Sequence, residues 1–426
     1  MFTSIRSILP HPAVIFGRSF GFFRVVLIVF PALAQMYLFL RARKAILSSR
    51  GSDRFKSGAV GAVGLVLCLC FGLNGYILLR PLVWLDAPVA ARIFLFYLPS
   101  VWALASVFSG LLLCLVHVAA GLARAVGRLF NGRAGKEAPL PADPLRRRFL
   151  QAGAAGLVAA PFVLSAYGAA YGSERCEVRD LSLPFGRSLR VVQLSDIHAG
   201  PYMTRGEIRR YVDRVMALRP DLFVLTGDFI SNSMAFFPGC MEELTRVRAR
   251  YGTFAILGNH ERWYGRPGEL RRVFHQYGVP LLVNSHRVIG TAEGPFAVAG
   301  IDDLATGHPD LESALRGLDP SIPTLLLSHR PEIFPRAAAY GIALTLAGHY
   351  HGGQIKVILG GVPISLAHLR TPYPEGLYRI GGSSLYVSRG IGTTFTPVRL
   401  NAPPEITVFH LTGSAPQPPR ARYGRA

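Results

Sequence analysis

The sequence contains few cysteines and few charged residues for its length. Five cysteines in 426 residues are too few for a disulfide-stapled scaffold, and their spacing matches no zinc-finger or Cys-x-x-Cys pattern. Only 17% of the residues are charged, whereas 50% are hydrophobic and the mean hydropathy is +0.32. This composition excludes a disordered or low-complexity protein, and the length allows two to three domains.

Acidic residues are scarcest in the first 170 residues, which contain four of them against 18 lysines and arginines. The rest of the chain contains 21 acids and 28 bases, so most of the net charge of +21 belongs to the N-terminal part. Strongly basic chains bind nucleic acid or an anionic membrane surface. Because the excess charge here borders long apolar runs, we expect a membrane and no nucleic acid as partner.

Four apolar segments in this basic region predict membrane-spanning helices, since about 20 apolar residues cross the hydrocarbon core. They lie at about residues 20–40, 58–79, 93–120 and 150–171. The loops after the first and third segments collect lysines and arginines, and the positive-inside rule places these loops in the cytoplasm. The pair Arg147-Arg148 also resembles a twin-arginine export signal. Either interpretation places residues 171–426 outside the cytoplasm.

From Leu189 onward, short apolar runs alternate with helical segments. The runs are rich in Val, Ile and Leu and end at polar or glycine residues, which is typical of strands. They are Leu189–Leu194, Leu222–Thr226, Thr253–Leu257, Pro295–Gly300, Thr324–Ser328, Ala343–Ala347, Ser384–Ser388 and Glu405–Leu411. Thr204–Leu218 and Cys240–Arg250 have helical spacing. The alternation predicts an α/β layered domain.

Side chains with oxygen and nitrogen donors follow five of these predicted strands. In chain order they are Asp196 and His198, Asp228, Asn259 and His260, His329, and His349 and His351. Ligands of open α/β sheets gather beyond the carboxyl ends of the strands, so we expect these side chains to converge. Each short motif alone is ordinary turn chemistry. The ordered set, which has no thiolate, predicts a site for Mn, Fe or Zn.

The motifs Asp-x-His, Gly-Asp, Gly-Asn-His-Glu, a lone His and Gly-His-x-His resemble the calcineurin-like metallophosphoesterase family over about residues 187–411. Residues 388–392 and 403–405 are similar to its membrane-associated bacterial branch, which contains phosphodiesterases and enzymes related to UDP-2,3-diacylglucosamine hydrolases. Glu261 stands where the family more often has Asp. We expect little effect of this difference, because that position usually lies behind the metal ligands.

The resemblance implies a four-layer α/β/β/α sandwich with two divalent metal ions (Mn, Fe or Zn). The implied ligands are Asp196, His198 and His351 for one ion, Asn259, His329 and His349 for the other, and Asp228 as the bridge. A water acidified by the metals would attack the phosphorus. His260 would stabilise the transition state or protonate the leaving oxygen, or it would only make a structural hydrogen bond at a turn.

Two features near these motifs have more than one interpretation. Arg330 follows His329 and would contact a phosphate or serve as a surface cation. The loop Ile230–Gly239 beside Asp228 is rich in apolar residues. It would admit an acyl chain, touch the bilayer or make ordinary packing contacts.

We therefore expect a transmembrane region at residues 1–173, a metallophosphoesterase domain at 174–411 and a disordered tail at 412–426. The predicted function is that of a multi-pass, metal-dependent phosphodiesterase of a bacterial inner membrane, with a periplasmic catalytic domain. Its predicted substrate is a phosphate ester, lipid-linked because the spans hold the site near the bilayer. The alternatives are a lipid enzyme like the UDP-2,3-diacylglucosamine pyrophosphohydrolases, whose chemistry belongs on the cytoplasmic face, and a non-catalytic membrane sensor.

Overall fold

The computed structural model describes residues 18–79, 89–130 and 144–413, which belong to two compact units. Among these described residues, the first unit ends at Ala169 and the second begins at Ala170. The predicted disordered tail lies outside the described residues, apart from Thr412 and Gly413.

The described part of the first unit is helical. Its helices are α1 (Arg18–Leu47), α2 (Asp53–Leu79), α3 (Val89–Arg92), α4 (Leu98–Phe130) and α5 (Pro144–Tyr167). A π-helical stretch joins α3 to α4, and α4 packs against α1, α2 and α5. Small residues permit the close approaches: a Cβ on Gly110 would lie 3.2 Å from that of Ala34, and Ser109 donates to the Val158 carbonyl at 2.8 Å. Such contacts are typical of helices packed in membranes.

Three helical stretches in the described residues are long and apolar enough to cross a membrane. They are Asp53–Gly75, Ala90–Arg128 and Ala152–Gly172. They coincide with the second, third and fourth predicted spans. The first predicted span, at about residues 20–40, lies in α1 and stays a prediction.

The second unit is built on two mixed sheets and a separate hairpin. Its strands are β1 (Glu177–Pro184), β2 (Leu189–Leu194), β3 (Leu222–Leu225), β4 (Thr253–Ala255), β5 (Ser285–Ile289), β6 (Phe296–Gly300), β7 (Thr324–Leu327), β8 (Leu344–Ala347), β9 (Val357–Leu359), β10 (Val362–Ile364), β11 (Gly376–Ile380), β12 (Ser383–Val387) and β13 (Glu405–Thr412). The sheet orders are β1-β13-β2-β3-β4 and β11-β12-β8-β7-β6-β5, and β9 pairs with β10. All eight predicted strands are confirmed, and no end differs by more than two residues.

Parallel pairing aligns the strand ends that carry the motifs. In the first sheet β2, β3 and β4 are parallel, with Val191 opposite Leu222 and Phe223 opposite Thr253. In the second sheet β6, β7 and β8 are parallel, with Leu327 opposite Leu346. The carboxyl ends of each parallel set therefore lie along one edge, where ligands of α/β sheets collect.

Helices complete the second unit. They are α6 (Arg205–Ala217), α7 (Phe237–Leu244), α8 (Asn259–Tyr264), α9 (Pro267–Gln276), α10 (Leu311–Leu315), α11 (Phe334–Ala339) and α12 (Leu366–Arg370). Thr204 and Glu207 form a capping box that fixes the start of α6 where the sequence predicts it. The predicted helix Cys240–Arg250 is wrong at both ends, because Pro238 in the first turn favours an earlier start of α7 and α7 ends at Leu244.

Alternate residues of the strands enter different buried clusters. Val192 and Leu194 of β2 belong to a cluster with residues of α6, α7 and α9. Val191 of β2 belongs to a second cluster, which includes Phe296 and Leu325 of the other sheet. This period of two is what a sheet buried on both faces requires. The four-layer sandwich itself stays a prediction.

Candidate metal centre

The structure brings together all eight side chains that the strand-end motifs single out. Three groups of them could each hold a metal ion, since their ligand atoms lie within 4.8 Å of one another: Asp196 with His198 and His351, His198 with Asp228 and His260, and Asp228 with His329 and His349. Asn259 joins the third group through its Oδ1, 3.2 Å from His329 Nε2. The predicted convergence is therefore observed, and Asp228 is shared between groups.

Ring nitrogens of the histidines face one another across this site. His198 Nε2 and His351 Nε2 are 3.1 Å apart, and His329 Nε2 lies 3.2 Å from the Nδ1 of His349. His329 donates from Nδ1 to the Thr226 carbonyl at 2.8 Å, so its Nε2 is the nitrogen that faces the site. The donor set of imidazole nitrogens and carboxylate and amide oxygens thus fits divalent metal ions.

Burial and neighbouring charges set the protonation of these groups. Burial lowers the pKa of His198 to about 3 and holds the pKa of His349 and of His351 well below the usual value, because a buried imidazolium loses its hydration. These rings are neutral, which is the form that binds metal. Burial also opposes the charged form of His329, yet the Asp228 carboxylate 3.3 Å away raises that pKa to about 10. Positive charge is therefore favoured at the centre of the site.

Five of the seven implied metal ligands have left-handed backbone conformations. Their φ angles are 52° for Asp196, 51° for His198, 55° for Asp228, 73° for His349 and 52° for His351. Residues other than glycine rarely adopt this region, although Asp, Asn and His tolerate it best. Each such residue costs on the order of 1–3 kcal/mol and persists only where the surrounding structure imposes it. In the turns after β2, β3 and β8, a strained backbone conformation thus orients the side chains of the candidate ligands.

Glu261 connects the turns after β3 and β4. Its carboxylate accepts four backbone hydrogen bonds, at 2.7 Å from Phe229, 2.9 Å from Asp228, 3.0 Å from Gly258 and 3.1 Å from Ile230. The side chain is fully buried. Glu261 lies behind the candidate metal ligands, as expected, and it fixes the main chain on which Asp228 and Asn259 stand. Hydrogen bonds from backbone N–H groups cannot be predicted from the order of side chains.

His260 has a defined orientation at the rim of the site. Its Nδ1 makes a short hydrogen bond to the Ser231 carbonyl, and its Nε2 lies 4.0 Å from the Oδ2 of Asp228. Burial lowers its pKa. Because Nδ1 is occupied as a donor to the carbonyl, Nε2 is the atom available to a reacting group.

Arg330 contacts the site rather than the solvent. Its Nη1 lies 2.6 Å from the Nε2 of His349, and its Nη2 donates to the Oδ1 of Asn259 at 3.2 Å. Asp303 holds the Nε of the same guanidinium at 3.0 Å. Sequence reasoning missed Asp303, which follows β6 and could have been found by the strand-end rule that located the other residues.

The segment after β12 closes the side of the site near His351, and sequence reasoning missed it too. The hydroxyl of Thr394 lies 3.1 Å from His198 Nε2 and 3.2 Å from His351 Nε2. The fully buried Arg399 donates to four main-chain carbonyls, including those of Gly390 and Gly392. An arginine in a loop carries no sequence signal for such a role.

The apolar loop beside Asp228 proves to be a packing element. Phe236 and Phe237 are 2% and 1% exposed, and Phe237 packs edge-to-face against Phe229 and Phe274. Of the interpretations left open for this loop, ordinary packing is the one that the structure supports.

Comparisons with known proteins agree with this site. A family model described as calcineurin-like phosphoesterase matches residues 189–353. The metallophosphoesterase YkuE of Bacillus subtilis (strain 168) is 32% identical over 238 residues, which cover 55% of this chain and 83% of that protein. A transmembrane protein with metallophosphoesterase domain from Bos taurus is 32% identical over 320 residues, or 70% of either chain. Phosphodiesterase YaeI of Escherichia coli (strain K12) is 29% identical over 279 residues, 62% of this chain and 98% of that one.

Proposed function

We propose that this chain is a membrane-anchored phosphodiesterase with a dinuclear metal centre. The proposal starts from its membership of the calcineurin-like metallophosphoesterase family, whose members are phosphoric ester hydrolases. One observation carries the proposal: the Oδ2 of Asp228 lies 3.6 Å from the Nε2 of His198 and 3.3 Å from the Nε2 of His329, and so faces both sets of donors. A degenerate relative that only senses a ligand would be expected to have lost one of these donors.

The chain's own residues would divide as follows. Asp196, His198 and His351 would hold one ion, Asn259, His329 and His349 the other, and Asp228 both. When bound, divalent cations lower the pKa of a coordinated water and offset the charge of the phosphoryl oxygens. Glu261 holds the turns that present Asp228 and Asn259.

His260 would move the proton of the reaction at its Nε2. The Ser231 carbonyl fixes its ring by accepting from Nδ1, so Nε2 is available to take up a proton from the site and pass it to a leaving oxygen. Arg330 touches both Asn259 and His349. Its cation would therefore lie beside a phosphate bound at the centre.

The membrane assignment rests on three candidate spans and on similarity to relatives named as transmembrane proteins. Lysines and arginines concentrated in two of the loops support a periplasmic catalytic domain in a bacterial inner membrane. A site tethered near a bilayer favours a lipid-linked phosphate ester as substrate.

Hydrolysis of bis(p-nitrophenyl) phosphate and of p-nitrophenyl phosphate by the full chain, with added Mn²⁺, tests the proposal. We expect the diester to be the better substrate. Asp228→Asn should lower kcat by at least about a hundredfold, because even residues behind metal ligands are worth ten- to a hundredfold. The matched control is Asp213→Asn, whose carboxyl is 52% exposed and which should keep full activity.

Three results would count against this function. Absence of metal-dependent turnover of either ester favours the sensor, and a clear preference for the monoester excludes the phosphodiesterase. A reporter fused after Arg425 that is active only in the cytoplasm overturns the orientation and favours the cytoplasmic lipid enzyme.

A further inference from the structure

The described part of the catalytic domain exposes one dense group of large apolar side chains. It spans 13 residues and is called the apolar edge below; its members are Val357, Ile358, Leu359, Val362, Ile364, Leu366 and Leu369, with exposed fractions between 42% and 77%. The other exposed large apolar side chains of the described domain occur singly or in pairs. Concentrated apolar surface of this kind marks a site of contact with another apolar body.

The fold itself gives no partner to the apolar edge. Strands β9 and β10 pair only with each other, with Val362 opposite Leu359 and Ile364 opposite Val357. Every residue of both strands is exposed, so both faces of the hairpin are apolar and uncovered. A two-stranded hairpin is marginally stable in water by itself, and one with two apolar faces is favoured only where it leaves the water.

The base of this hairpin is fixed beside the metal centre. Lys356 donates its backbone N–H to the Leu400 carbonyl at 2.9 Å, and its own carbonyl accepts from Asn401 at 2.9 Å. Its ammonium pairs with Glu375. The strand β9 begins six residues after His351, and α12 packs against the turn that contains His351. The apolar edge is therefore continuous in the chain with the segment that contains the predicted metal ligand His351.

The charge and depth of the apolar edge match a bilayer surface. No Asp or Glu occurs from Val357 to Pro374, and Arg370, which follows Leu369 in the chain, is exposed. Cations at an apolar surface are attracted to anionic lipid headgroups. A three-residue hairpin reaches about 10 Å, since a strand rises about 3.3 Å per residue, and interfacial segments insert to a depth of about 5–10 Å.

The chain also keeps a bilayer within reach of the domain. The last candidate span ends at Gly172, and β1 begins at Glu177. Only four residues separate the two, so the domain cannot diffuse away from the membrane that holds that helix.

We propose that the apolar edge inserts into the interfacial layer of an anionic phospholipid bilayer and thereby brings the metal centre to phosphodiesters carried at the bilayer surface. The docking stands on the exposed surface, its charge and the neighbouring candidate span, whereas the substrate class rests on the proposed function. The two parts need separate experiments.

Docking is tested with the full chain in nanodiscs of phosphatidylethanolamine and phosphatidylglycerol. Leu359→Trp adds a reporter to the apolar edge, and Val288→Trp adds one to β5, which lies at the opposite edge of the six-stranded sheet from β11 and is 50% exposed at this residue. The three native tryptophans are common to both variants and are subtracted with the parent protein. We expect lipids brominated on their acyl chains to quench the added emission of Leu359→Trp and to leave that of Val288→Trp unchanged.

Equal quenching of the two reporters would overturn the docking. Emission of Leu359→Trp that is shielded from both brominated lipid and aqueous acrylamide would also overturn it, because a second copy of the chain would then cover the apolar edge. Neither readout depends on turnover, so an inactive protein leaves the result valid.

Substrate delivery is tested with two diesters that share one leaving group. They are bis(p-nitrophenyl) phosphate in solution and a diacylglycerol p-nitrophenyl phosphate in the nanodisc, which is hydrolysed to phosphatidic acid and p-nitrophenolate. The double variant Ile358→Ser, Leu359→Ser should keep kcat/KM for the soluble ester and lose about tenfold or more on the lipid ester, from the lost apolar burial. Equal losses on both esters, or none on the lipid ester, would contradict delivery by this surface. Failure of the parent on both esters would instead reject the proposed function.

Discussion

Replacing Glu261 by glutamine should destabilise the catalytic domain far more than a change of one atom suggests. The carboxylate accepts two backbone N–H groups at each oxygen, and glutamine keeps only one of the two oxygens. Two bonds to an ionised acceptor are lost, each worth about 1.5–3 kcal/mol, and the new amide directs its own hydrogens at backbone donors. The expected loss is about 3–6 kcal/mol, a large share of the roughly 5–15 kcal/mol that stabilises a domain.

Thermal unfolding of the full chain in detergent micelles measures this loss. Burial raises the pKa of Glu261 to about 8, so the melt is run above that pH, where the carboxylate is ionised. For a domain of this size the expected decrease in Tm is roughly 6–24 °C. Glu242→Gln is the matched control, because that carboxyl is 41% exposed, and its Tm should stay within about 2 °C of the parent. A Glu261→Gln protein that melts with the control would refute the role assigned to the four hydrogen bonds.

Three further outcomes follow from the site and its surroundings. Arg330→Gln should lower kcat/KM for bis(p-nitrophenyl) phosphate by about tenfold or more, because the guanidinium lies beside His349 and Asn259, whereas the exposed Arg336→Gln should leave it unchanged. Chelation should abolish turnover and lower the Tm, and added Mn²⁺ should restore both, since an ion that binds only the folded state stabilises it. Hydrogen bonds from arginines lower the pKa of Glu243 to about 2 from its usual 4.5, so its stabilisation is complete above pH 4.5 and is lost as the pH falls towards 2; Glu243→Gln should remove that slope from acid unfolding curves.

The sequence is sufficient to predict the parallel core and the side chains at its edge. Buried strands such as Leu189–Leu194 are continuous apolar runs, and the carboxyl ends of parallel strands are neighbours in space. That topology brings together the ends of β2 and β3, with Asp196 and Asp228, in one sheet, and the ends of β7 and β8, with His329 and His349, in the other. The meeting of Asp196 with His351, which follow strands of different sheets, depends on how the two sheets pack.

Other elements carry no comparable signal. Strand β1 has mostly exposed residues and lies at a sheet edge, where it pairs in parallel with β13 from the other end of the domain. The backbone contacts of Glu261 and the burial of Arg399 depend on donors and acceptors of the main chain, which the order of side chains does not reveal. The apolar edge could not be predicted, because the sequence does not show whether an apolar residue is exposed or buried.

The left-handed turns under the metal ligands also constrain how this site can evolve. At Asp196 or His351 a substitute must both coordinate a cation and occupy a region of backbone space that few side chains tolerate. Placing cysteine or glutamate in this left-handed conformation costs about 1 kcal/mol or more, apart from any effect on metal coordination. A single substitution that moves the site towards thiolate ligands is thereby disfavoured, and the main chain preserves the preference for harder metals along with the ligands themselves.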